Sequence, residues 1–287
     1  MPNPLLQSIR SAVRANQKTA DLFDALGTKD APNGVITSAY RQAKRAMETV
    51  LAEPNPTLGV KQVFGELRTS IQNGVAPVFN ESYTYGIDEA TRQLGYYDVA
   101  EIISDLNRQN EMSQNALNVL LNELTAQESA IMAILLAGLE GNRITGDEDH
   151  VGLLSPGDVL AAGIFWVTAL LWDAFSSTVN LTMPDLRYKK QAIAVLDRRT
   201  TDCCLRVHGQ IVPFDGEFTL TGHPSFADKI DWSPFHWYCR TSIVLYSESF
   251  DSGLTERMRR AAEYVLSQRA QGITFDQHPA DAFIKIP

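Results

Sequence analysis

The sequence predicts an α+β protein: a mostly helical N-terminal body, a small α+β module with short antiparallel strands, and a C-terminal helix. Three observations carry this. Apolar residues recur at helical spacing through the first 180 residues. After Pro184 the apolar runs become short and β-compatible, separated by Gly, Pro and Asp. All three cysteines and three of the five histidines fall between Cys203 and Cys239. The expected boundaries are 1–186 for the body, 187–247 for the module, and 248–287 for the last helix and tail.

Asn3-Pro4 opens the first helix, with Leu5, Leu6, Ile9, Val13, Leu22, Phe23 and Leu26 on its apolar side and Gly27 as its stop. Asn33 reads as the cap of the second, whose stripe is Val35, Ile36, Ala39, Tyr40, Ala43, Met47, Val50 and Leu51. Pro56 and Gly74 bracket a third, a fourth follows Pro77, and Asp98 starts a short one. The stretch Glu111 to Leu139 predicts a long helix ending at Gly141. Asp147, Asp149 and His150 lie in a polar loop that lacks the ligand spacing of a calcium site. Ser155-Pro156 supplies a cap and first-turn proline for a helix through Phe175. Gln191–Leu196, Ile211–Phe214, Glu217–Leu220 and Thr241–Tyr246 read as strands, and Thr255–Ala270 as an amphipathic helix stopped by Gly272.

With 25 basic and 34 acidic side chains the chain carries a formal charge of −9, which disfavours non-specific nucleic-acid binding. Residues 187–206 are a local exception: Arg187, Lys189, Lys190, Arg198, Arg199 and Arg206 stand against Asp197 and Asp202. That run is either a solvated edge or a contact for DNA or a partner. No secretory signal follows Met1, so the thiols are expected in a reducing cytosol, as ligands rather than disulfides. The most apolar stretch, Val159–Trp172, suits a core helix better than a bilayer span, and no membrane partner is expected.

Cysteine and histidine are the ligands that zinc selects. A helical turn over 202–208, capped by Thr200 or Thr201 and ended by Gly209, would set Cys204 and His208 at i and i+4 on one face. Cys203 would point about 100° away. His236 and Cys239 have the two-residue spacing of a ligand knuckle. The predicted metal ligands are therefore Cys204, His208, His236 and Cys239, closing an excursion of 31 residues between Cys204 and His236 around a structural zinc. The alternatives are buried apolar cysteines with backbone-bonded histidines, or a Cys204–Cys239 disulfide. His223, in Gly-His-Pro, reads as a turn residue. Asp197 can accept backbone N–H bonds across its turn and pair with Arg199 or Arg240.

The segments Asp197-Arg-Arg-Thr200, Cys204, His208-Gly209 and Ser233-Pro-Phe-His236-Trp-Tyr-Cys239-Arg240 resemble the signature of the phage Mu F-type head-morphogenesis (minor head) proteins. Two positions depart from that pattern: Thr241 stands where the family has a final Cys, and Ser233 replaces a Pro. The resemblance implies a minor structural protein of a tailed-phage virion, near the portal vertex. Its implied partners are the portal protein, major capsid or scaffold proteins, and packaged DNA. Asp197, Thr200, Gly209 and Arg240 would be structural motif residues, with no catalytic residue. The chain carries no Gly-x-Ser-x-Gly, P-loop, His-Glu-x-x-His or dinucleotide fingerprint. The rival readings are a zinc- or Cys/His-dependent hydrolase or nuclease packaged in the head, and a DNA-contacting internal or ejected protein.

Overall fold

The structure is a computed structural model that describes residues 4–28, 31–95, 106–139, 154–182, 188–220, 229–246 and 253–273. The predicted α+β class is what it shows. Seven helices lie among the described residues: α1 Pro4–Leu26, α2 Val35–Leu51, α3 Thr57–Leu94, α4 Leu106–Leu139, α5 Gly157–Thr182, α6 Asp202–Val207 and α7 Leu254–Ala270. The strands are β1 Lys189–Ile193, β2 Ile211–Pro213, β3 Phe218–Thr219, β4 Lys229–Ile230 and β5 Ser242–Tyr246.

The chain divides into two compact units. One comprises residues 21–81 and 106–167. The other comprises 1–20, 82–105 and 168–287, so among the described residues the strands of 187–247 share their unit with four helical segments from outside that range.

In the first unit the apolar stripe of α2 is buried at Ile36, Ala39, Tyr40, Ala43 and Met47, as its spacing predicts. The N-cap is Gly34 rather than Asn33, whose side chain instead accepts a bond from Arg41 at 3.4 Å. The expected break between Gly74 and Pro77 is absent: α3 runs through both. Gly74 is there for packing, since a Cβ at that position would lie 2.1 Å from Val35 Cγ1. Pro77 costs α3 one backbone donor without ending it.

In the second unit β1 is the central strand, antiparallel to β2 and β5 in the order β2-β1-β5. A continuous apolar run belongs in such a position, because both faces of the strand are covered. Ala192 and Ala194 face a core with Trp172, Phe175, Phe218, Phe235 and Ile243. Ile193 and Val195 face another with Ala12, Val244 and Met258. The two-residue ladder β3–β4 was not expected on its β4 side, where Lys229-Ile230 is too short to show a period. Glu89 on α3 is fully buried and accepts from Arg14 (3.3 Å), Arg92 and Gln93 (3.1 Å). Gln93 in turn accepts the Leu245 N–H at 2.8 Å, tying α3 to the edge of β5.

Two windows, Glu111–Ala137 and Gly157–Thr182, are long and apolar enough to cross a membrane. Most of the second is buried within the protein, as the helix of a core is. The short helix expected at Asp98, the helix stop at Gly141, the loop residues Asp147, Asp149 and His150, the turn residue His223, and Arg187 all lie outside the described residues.

Two glycines of α3 give opposite expectations. A Cβ on Gly86 would fall 2.2 Å from the Leu171 carbonyl oxygen and 2.8 Å from Ala174 Cβ. A Cβ on Gly65 would meet nothing within 4 Å. Thermal unfolding should show Gly65→Ala raising stability by about 0.5–1 kcal/mol through helix propensity. Gly86→Ala should lower it by about 1–3 kcal/mol, as overpacking does.

Candidate metal centre

The loop between β1 and α6 turns at Asp197, whose Oδ1 accepts the N–H groups of Arg199 (2.9 Å) and Thr200 (3.0 Å) and the Thr200 hydroxyl (3.0 Å). Arg240 Nη2 donates to both Asp197 oxygens, at 2.7 and 2.9 Å. Of the two arginines that the sequence offers Asp197, Arg240 forms the charge pair, and Arg199 contributes its backbone. These bonds and the Arg240 charge outweigh burial and hold the Asp197 carboxyl below its ordinary value. Asn16 of α1 donates to the Arg240 carbonyl, so the pair is anchored to the first helix as well.

Thr201 occupies the N-cap position of α6 without bonding a helix N–H. Its hydroxyl instead lies 2.8 Å from His236 Nε2 and 3.1 Å from Cys203 Sγ. Cys204 Sγ is 2.8 Å from the same His236 nitrogen and 3.8 Å from Cys239 Sγ. All three cysteines and His236 are buried, and all three thiols are free. Three ligand atoms, from Cys203, Cys204 and His236, lie within 4.8 Å of one another and can hold a metal ion. Cys239 borders them through Cys204.

The helix ends one residue early, and that changes the ligand set. His208 leaves α6 with φ −57° and ψ 120°, so the i and i+4 relation with Cys204 does not form. Its Nδ1 accepts the Ala194 N–H at 2.9 Å, placing the ring on the end of β1 as a strand-holding group. Cys203, set aside by helical rotation alone, joins the cluster because α6 is too short and too close to the knuckle for a 100° offset to separate neighbouring sulfurs. Gly209 terminates the turn in the left-handed region, at φ +81°, as expected. A side chain there would press on Arg259 Cγ and the Thr255 carbonyl at 3.1 and 3.3 Å.

The donor chemistry suits zinc. A tetrahedral ion with bonds of about 2.3 Å to sulfur places its sulfurs about 3.8 Å apart, the separation of Cys204 and Cys239. Cys204 Sγ and His236 Nε2, at a hydrogen-bond distance of 2.8 Å, would have to part to admit the ion. His236 Nδ1 donates to the Trp237 carbonyl, which leaves Nε2 facing the sulfurs as a ligand atom. The protonation pattern fits in part: thiolate is favoured at Cys203 and Cys239, whereas the proton held on His236 would have to leave Nε2 for a cation to bind there. Burial alone would raise the Cys239 thiol, but hydrogen bonds from Cys204 and His236, with the charge of His236, bring it well below its ordinary value. Burial alone would lower His236, yet bonding to Cys239 and its charge lift it to about 9. Cys203 falls to about 6, chiefly through its bond with Cys204, while burial drives Cys204 up. A cation at the centre would meet thiolate already favoured there.

The cavity that the described residues form beside the cluster is small. A cavity of about 10 Å³ is lined by Thr200, Cys204, His236, Tyr238 and Arg240, among others, and holds at most one water. Of the basic residues proposed for DNA or a partner, Lys189, Arg198, Arg199 and Arg206 are exposed. Lys190 is fully buried and faces the core, because the strand's alternation turns it inward from its neighbour Lys189. Lys190 therefore offers no surface to DNA or a partner. Comparison with family models, with curated proteins and with solved structures finds no match for this chain.

Asp197→Ala leaves the partly buried Arg240 head and three local donors without their acceptor, and should cost about 1.5–3 kcal/mol at pH 7 in urea unfolding. The folded carboxyl titrates below its unfolded value. Its contribution is therefore complete above the unfolded pKa and is lost as pH falls through the folded one. The gap between wild type and Asp197→Ala should close on acidification below about pH 4.

Proposed function

We propose that the chain is a non-catalytic minor structural protein of a tailed-phage head, acting near the portal vertex in head assembly and DNA packaging. The observation that carries this reading is convergence. The residues that resemble the minor head signature (Asp197, Thr200, Cys204, His236, Cys239 and Arg240) meet in one buried node across more than thirty positions of chain. Every one is engaged in holding backbone or another motif residue, which is what a structural signature requires. The water-sized cavity supports a holding role over the hydrolase or nuclease reading. The partners proposed are the portal protein and major capsid or scaffold proteins. Packaged DNA is a further partner, met by the exposed Lys189, Arg198, Arg199 and Arg206.

The cluster is proposed to hold a structural zinc through Cys203, Cys204, His236 and Cys239, a Cys₃His set. When bound, such an ion adds its binding free energy to folding by cross-linking two distant stretches. The protein's own contribution is to bury the ligands and orient His236 through the Trp237 carbonyl.

Metal analysis of the purified full chain should find one zinc per molecule. His208→Ala should keep it while losing about 1–3 kcal/mol from the unpaired Ala194 N–H. Cys204→Ser and His236→Ala should lose it. A zinc-free wild type whose melting is indifferent to chelator would rule the ion out. For the wider reading, quantitative mass spectrometry of purified heads should find the chain at a few copies per particle, co-released with the portal. Its absence from assembled heads and their precursors would overturn the assignment.

A further inference from the structure

Lys190 lies in β1, opposite Val212 of β2 and Leu245 of β5. Its side chain is fully buried, and its Nζ has no hydrogen-bond partner. An ammonium in that state is ordinarily paired, or it surrenders its proton. Here it faces three aromatic rings instead. Nζ is 4.2 Å from the centroid of Trp232, 5.5 Å from Phe218 and 6.0 Å from Phe214. All three lie within the range at which a ring's negative face attracts a cation. The rings also brace each other: Phe214 and Trp232 pack edge to face at 5.1 Å, and Phe175 supports Trp232 at 6.1 Å.

The rings come from separate pieces of chain. Phe214 follows β2, Phe218 sits in β3, and Trp232 stands two residues beyond β4. These elements are only two or three residues long, too short to be held by ladder bonds alone. A methionine or leucine at position 190 would fill the same volume without desolvating a charge. Burial pulls the Lys190 amine down to about 8, opposed by the nearby carboxylates of Asp231 and Asp215.

We propose that Phe214, Phe218 and Trp232 form a binding box for an alkylammonium group, and that its occupant in this conformation is the chain's own Lys190. The lysine thereby straps the chain around β2, β3 and β4 onto the central strand. Because Trp232 directly precedes the Ser233–Cys239 stretch, the strap also fixes the approach of the segment that carries His236 and Cys239. The box stands on its own geometry and does not depend on zinc or on a phage origin.

Two measurements on the full chain test it. Lys190→Ala empties the box; n-butylammonium should then raise the melting temperature of this variant, while 1-butanol at the same concentration should not. Equal rescue by the alcohol would make the box a plain apolar cavity and overturn the proposal. A double-mutant cycle with Lys190→Met and Trp232→Leu, by urea unfolding, reads the same contact without a void at position 190. Trp232→Leu should shift the unfolding constant roughly five- to thirtyfold more with lysine present than with methionine. Effects equal within about twofold would overturn it. If Trp232→Leu does not fold, Phe214→Leu completes the cycle.

Discussion

The fold of the strand-bearing unit depends on closing the chain between Cys204 and His236, and two adjacent polar contacts do this. Asp197 and Arg240 form the outer contact, with little exposure on either side chain. The thiols and imidazole form the inner one. Between them the chain has strands of two and three residues, which bury too little to define a structure alone. Remove the closure, and β1 still pairs with β5 over five residues and with β2 over three, but the path between β2 and β5 is left to short ladders and side-chain packing.

Buried charge is treated in three different ways inside this one unit. Glu89 is compensated by surrounding donors from α1 and α3. Asp197 is compensated by a guanidinium and by its own turn. Lys190 has no hydrogen-bond partner: aromatic faces meet its amine, with the carboxylates of Asp231 and Asp215 acting only through their charge. The first two follow the usual rule that buried ions are paired. The third departs from it, and departures of that kind mark groups that do something other than maximise stability.

Much of this was legible in the residues. The helical stripes of α2 and α7, the apolar run of β1, the left-handed stop at Gly209 and the Asp197 turn all follow from local rules that the tertiary fold leaves in force. The misreadings share a cause. Gly74 and Pro77 look like a helix boundary, yet a glycine that admits Val35 is indistinguishable in sequence from one that ends a helix. Lys190 reads as part of a basic edge because its rings lie more than twenty residues downstream. Glu89 carries no signal of its depth, since Arg92 and Gln93 beside it on α3 read as an ordinary solvated helix face and Arg14 comes from a distant helix. His208 left the expected set because the helix ends one residue early, and Cys203 entered it because a 100° offset on so short a helix does not part neighbouring sulfurs.

The central claim is that donors from two distant stretches share one site. The most direct measurement is zinc-edge X-ray absorption on the metal-loaded full chain. The account predicts a first shell dominated by sulfur at about 2.3 Å with one imidazole nitrogen near 2.0 Å, losing a sulfur in Cys239→Ser. A shell of oxygen and nitrogen alone, unchanged by that substitution, would contradict it.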